Sequence, residues 1–117
     1  PVPDGVVSGF WLGEAGLQIA IAGGQVDVLS GHGWSVDGTA PSGAHAVWGP
    51  PQGPVWVVGP RFVCAGTPGK WRCQELDIGS GALVSGRTAH GPVFIGGQNG
   101  LWRADPLNAP TDVTELP

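Results

Sequence analysis

His45-Ala46-Val47-Trp48-Gly49, a Pro/Gly turn, Val55-Trp56-Val57-Val58-Gly59, Arg61-Phe62-Val63-Cys64-Ala65-Gly66, Thr67-Pro68-Gly69-Lys70 and Trp71-Arg72-Cys73-Gln74-Glu75-Leu76 form the stretch whose reading decides the fold. Each short run of Val, Phe, Trp or Cys is bounded by glycine or proline, which predicts four short β-strands joined by tight turns. Glycine occurs 22 times and proline 12 times among 117 residues. Both weaken helix interiors, and they are interleaved with apolar residues throughout the chain, so almost no helix is expected.

The flanking segments read as imperfect copies of this stretch. Val7-Ser8-Gly9, Val47-Trp48-Gly49 and Val84-Ser85-Gly86 recur at intervals of 40 and 37 residues, each expected to end a first strand. Second strands follow at Ile19-Ala20-Ile21-Ala22-Gly23, Val55 to Gly59 and Val93-Phe94-Ile95-Gly96-Gly97. Third strands follow at Val26-Asp27-Val28-Leu29, Arg61 to Cys64 and Gly100-Leu101-Trp102-Arg103. A fourth strand opens at Trp34 and at Trp71, while in the last copy a longer turn from Asp105 to Pro110 precedes Val113-Thr114-Glu115-Leu116. The chain is therefore expected to be a single all-β domain over residues 1–117, with approximate repeats 5–42, 43–81 and 82–117. A unit of about 40 residues with four antiparallel strands has the size of a propeller blade. Three four-stranded β-propeller-like blades are the expected architecture, with a β-sandwich lacking internal symmetry as the alternative.

The succession of Val-Trp, an apolar strand, glycine, a further strand and Gly-x-Trp resembles secreted bacterial β-propeller repeats, similar to photosystem-assembly-factor and sialidase-type blades. The resemblance extends over nearly the whole chain. The sequence departs from sialidase repeats in lacking their Ser-x-Asp-x-Gly-x-Thr-Trp turn, and it has no Gly-His/Trp-Asp pair. Propellers close with about four to eight blades. Three leave two open flanks, so completion of the ring by a second copy or by further blades is expected.

Cys64 and Cys73 each stand three residues from the Thr67–Lys70 turn. A hairpin in that register sets them opposite one another, near disulfide reach. A cross-strand disulfide implies an oxidising compartment, hence a secreted protein, extracellular or periplasmic; the competing reading is a pair of buried, reduced thiols. Two cysteines and scattered histidines do not supply the four ligands of a zinc site, so neither metal nor cofactor is expected. Five basic against nine acidic residues give a net charge of -4 with no Lys/Arg cluster, which argues against nucleic acid. The apolar runs fall far short of the ~20 residues of a membrane-spanning helix.

Six tryptophans are many for this length. Trp56, in a wholly apolar strand, is expected in the core. Trp34 and Trp71 head equivalent strands, where they either pack blade on blade or, with Arg72, Glu75 and His32, line repeated pockets suited to sugars. Phe10, Trp11 and Leu12, expected in a turn from Phe10 to Gly16 with Glu14, mark an interface. Arg87 and His90 in the matching turn of the third copy read as solvated, or as holders of an anion. No nucleophile elbow, metalloprotease helix, phosphate loop or dinucleotide fingerprint is present. A carboxylate pair for glycoside hydrolysis would have to come from Glu14, Asp27, Asp37, Glu75 or Asp77. The sequence thus points to a non-enzymatic binding module, lectin-like or adhesive, with a carbohydrate or protein ligand. The alternatives are a structural, protein-docking segment of a larger extracellular protein and a propeller hydrolase or lyase.

Overall fold

The computed structural model describes residues 7–13, 18–31, 33–50, 54–87, 91–105 and 113–117. These hold strands β1 (Val7–Leu12), β2 (Gln18–Ala22), β3 (Gln25–Ser30), β4 (Gly33–Val36), β5 (Ala46–Trp48), β6 (Val55–Gly59), β7 (Phe62–Thr67), β8 (Lys70–Glu75), β9 (Leu83–Gly86), β10 (Val93–Gly97), β11 (Gly100–Ala104) and β12 (Val113–Glu115), and among the described residues there is no helix. The strands form three four-stranded antiparallel sheets: β1 to β4, β5 to β8 and β9 to β12, each in sequence order. The all-β expectation and the four-stranded units hold. One sheet falls within each of the segments 5–42, 43–81 and 82–117.

Local chemistry accounts for the strand ends. Gly23 and Gly24 turn the chain between β2 and β3 with φ of 59° and 80°, a conformation that side chains with a Cβ resist. Between β7 and β8 the loop is the two residues Pro68 and Gly69, since Thr67 pairs with Lys70. Proline followed by a glycine at φ 82° is the type II pattern.

The sheets lie in a row, held together through their first strands: β1 contacts β5, and β5 contacts β9. The second sheet is the centre. Alternation along β6 sends Val55 and Val57 to one face and Trp56 and Val58 to the other, and all four are buried. On the first face, Val55, Val57, Phe62 and Cys64 pack against Trp11, Ile19, Ile21 and Val26 of the first sheet. On the second, Trp56, Val58, Val63 and Ala65 pack against Val84, Val93, Ile95, Trp102 and Ala104 of the third.

Two readings of the first repeat are corrected. Val7-Ser8-Gly9 opens β1 rather than ending it, and Phe10-Trp11-Leu12 is the second half of that strand, not a turn. The reason is Trp11. Its side chain is 9% exposed, packed between the first and second sheets, and its Nε1 donates to Gly49 O at 2.9 Å. That contact draws the strand on past Gly9. Trp11 therefore joins two sheets inside the chain, while Phe10 and Leu12 point the other way and are 51% and 60% exposed. Glu14 lies outside the described residues.

Cys64 and Cys73 are directly opposed in the β7–β8 register and form a disulfide, with Cα atoms 4.1 Å apart. The bridge spans 9 residues of chain, so the double variant C64A/C73A is expected to lose only about 1–3 kcal/mol on the chain-entropy model while keeping its fold. Urea unfolding followed by tryptophan fluorescence, with far-UV circular dichroism as the check on fold, measures this. A second expectation concerns Gln74, whose Oε1 is buried without a hydrogen-bond partner. A buried acceptor left unpaired costs about 1–3 kcal/mol, so Gln74→Met should raise the urea midpoint.

Candidate functional site

One concave site forms where the second sheet hands over to the third. The linker that leaves β8 folds back on the β6–β7 turn: Leu76 N–H donates to Arg61 O, and Ile78 and Gly79 N–H both donate to Pro60 O, each at 2.9 Å. Ile78 is fully buried and anchors the linker in the core. The third sheet holds it from the other side. Asn99 N–H donates to Ile78 O and Gln98 N–H to Ser80 O, both at 3.0 Å, while Ser80 Oγ donates to Gln98 Oε1 at 2.8 Å.

This folding back brings Arg61, Glu75, Leu76 and Asp77 around a half-open cleft of about 310 Å³. Such a volume lies at the lower end of the ~300–1,000 Å³ typical of small-molecule sites. Arg61, Glu75 and Asp77 are exposed and Leu76 is half-buried. Asp77 Oδ1 accepts a hydrogen bond from Asn99 Nδ2 at 2.9 Å, which fixes that carboxylate from the third sheet. The cleft thus offers a forked cationic donor, two anionic acceptors and an apolar patch. Among the described residues no group of three or more His, Cys, Asp or Glu is placed to hold a metal ion.

The residues singled out from sequence are dispersed. Glu75 lies in the cleft. Trp71 projects from the same face of β8 four residues earlier, about 13 Å away at the usual strand rise. Its ring packs against the core between the first and second sheets. Arg72 pairs with Ala65 on the opposite face of β8, toward the third sheet, and is exposed. Trp34 pairs with Leu29 on the outer face of the first sheet and is half-buried. His32 and His90 lie outside the described residues, and Arg87 is exposed.

Trp71 is held by a residue read only as a spare carboxylate. Asp37, in the linker after β4, accepts hydrogen bonds from Trp71 Nε1 and Gly69 N–H, both at 2.8 Å, and from the hydroxyl and backbone N–H of Thr39. Partial burial is the largest influence and raises the Asp37 pKa, but these four donors together outweigh it and hold the carboxyl below its usual 3.8. Asp37-Gly38-Thr39 is a local turn signature; its partner 34 residues away in Trp71 left no mark in the sequence. Arg61, expected to open a strand, stands instead in the turn before β7, and this is what frees its side chain for the cleft.

Family models, curated proteins and solved structures yield no match to this chain. Among the described residues no helix is long and apolar enough to cross a membrane.

Because the folded-state pKa of Asp37 is depressed, its contribution to stability is present above the usual 3.8 and is lost as pH falls through the lower folded value. Asp37→Asn, which replaces one acceptor oxygen with a donor, should therefore unfold more readily than the native protein at pH 7. The gap should narrow as pH falls below about 4. Urea midpoints measured across that range show the effect, and a gap independent of pH would assign it to geometry alone.

Proposed function

We propose that the chain is a non-enzymatic recognition module, three blades of a secreted β-propeller type protein, and that its ligand is a carbohydrate held in the cleft of Arg61, Glu75, Leu76 and Asp77. The observation that carries the reading is the set of side chains that line that cleft. Among the described residues Arg61 forms no ion pair with Glu75 or Asp77, so all three charged groups face the opening with hydrogen-bonding capacity to give. Vicinal hydroxyls suit this set: a guanidinium donates two parallel bonds to neighbouring oxygens, carboxylates accept from hydroxyl protons, and Leu76 meets the C–H surface of a pyranose. The disulfide supports an oxidising compartment. Contacts between first strands, β1 on β5 and β5 on β9, are those that a propeller arrangement would make.

A second reading, a protein-docking segment of a larger ring, is favoured by the apolar outer faces of the first and third sheets. The two differ in what Arg61 does. A glycan array followed by titration calorimetry on the best ligand is expected to show binding that Arg61→Ala weakens about 10- to 100-fold, the worth of charge-assisted hydrogen bonds of about 1.5–3 kcal/mol. Trp34→Ala should leave it unchanged. Absence of binding to every glycan would remove the carbohydrate reading in favour of docking, and hydrolysis of a bound glycan that stops in both Glu75→Gln and Asp77→Asn would replace it with a glycosidase.

A further inference from the structure

Every large apolar side chain that is exposed among the described residues lies on one of two surfaces. Val7, Phe10, Leu12 and Val36 occupy the face of the first sheet turned away from the second, and Leu83, Phe94 and Leu101 occupy the face of the third sheet turned away from the second. The middle sheet, covered on both sides, contributes none. Leu12 is 60% and Leu83 63% exposed, while on the outer face of the first sheet Ala20, Ala22 and Asp27 are buried, so that face is open along β1 and β4 and the outer face of the third is open across its strands.

The two faces are unlike, and they are unlike in the way successive sheets are. In the row, the second sheet turns β8 and Trp71 toward the first, which supplies Asp37 to the indole N–H. Trp34 holds the same position in β4, the second residue of its strand, and its side chain points out of the open face of the first sheet. That is the direction from which a preceding sheet would come. The outer face of the third sheet is the one a following sheet would cover. Their charges also correspond. Arg103 stands at the centre of the outer face of the third sheet, between Phe94 and Thr114, and Asp27 stands at the centre of the outer face of the first, between Ala20 and Val36. Asp27 is 5% exposed and holds contacts of its own, so of the two only Arg103 is open to a newcomer.

We propose that a second copy of this chain covers both faces: the third sheet of each protomer seats on the first sheet of its partner, closing one ring of six sheets about a two-fold axis. A single symmetry operation makes both contacts at once and leaves no face open. Six lies inside the range of about four to eight that closes such rings. The inference rests on the propeller reading but not on the carbohydrate: glycan binding by a monomer would leave the ligand standing and remove the ring.

The test is light scattering after size exclusion of the full chain under oxidising conditions, with the native protein, Phe10→Asp and Leu101→Asp. The native protein is expected at twice the 11.9 kDa chain mass. Each variant is expected at the single-chain mass with native near-UV circular dichroism. An equimolar mixture of the two should recover dimer, because the intact third sheet of the F10D chain meets the intact first sheet of the L101D chain. Should either Asp variant fail to fold, Val36→Ser and Leu83→Ser probe the same two faces more gently. A folded native monomer, an open-ended polymer, or a dimer that survives either single variant would each overturn the proposal.

Discussion

Each sheet in this chain is apolar on both of its faces, and a four-stranded sheet of that kind cannot stand alone in water. The middle sheet shows the constraint most plainly: β6 is buried from Val55 to Gly59, with alternate side chains serving opposite neighbours. Strands this short gain little from their own ladders, and much of their stabilisation must come from side chains packed between sheets. The fold is therefore a row before it is anything else. Its order is set by which apolar face meets which.

Burial drives the sheets together but has no direction, so something else must set how they are staggered. The first strands do this through side chains that reach a backbone carbonyl on the next sheet or its lead-in. Trp11 Nε1 donates to Gly49 O at 2.9 Å, Ser8 Oγ to His45 O at 2.7 Å, and His45 Nδ1–H to Ala82 O at 2.9 Å. Each is worth about 0.5–1.5 kcal/mol in net stability, far less than the packing, but each is satisfied at only one stagger. The recurring Val-x-Gly step belongs to the same device. A Cβ at Gly49 would stand 3.0 Å from Trp11 Nε1, and one at Gly86 would stand 2.6 Å from the ring of Trp48. The glycine is the seat into which a tryptophan of the preceding sheet fits.

How much of this the sequence revealed follows from the range of each interaction. Strands two and three of every repeat, and the opposition of Cys64 to Cys73, were legible because a short apolar run between glycines and a symmetric spacing about a turn are local facts. The extent of β1 was not, because Gly9 looks like a strand end, while the packing of Trp11 and its bond to Gly49, 38 residues on, are made with another sheet. Asp37 was visible only as a carboxylate, and nothing nearby marks it as the acceptor for Trp71. The cleft was half legible. Glu75 was singled out, yet Arg61 was assigned to a strand, and Asp77 was weighed only as one carboxylate among five.

The placement of the cleft follows from the same constraint that builds the row. Because both faces of the second sheet are used in packing, its polar chemistry collects at its ends, where turns and linkers meet. The end of the second sheet is one such place, and it is held by several bonds at once. Pro60 O accepts from both Ile78 and Gly79, and Asn99 binds Ile78 O with its backbone and Asp77 with its side chain, so two turns and a linker are locked as one piece. A site fixed this way gives up little conformational freedom when a ligand arrives, which is the main cost that weakens binding through mobile loops. The tryptophans, which look from sequence like the obvious ligand platforms, are used elsewhere, in packing: Trp11 and Trp71 tie the first sheet to the second, and Trp56 and Trp102 fill the core between the second and third.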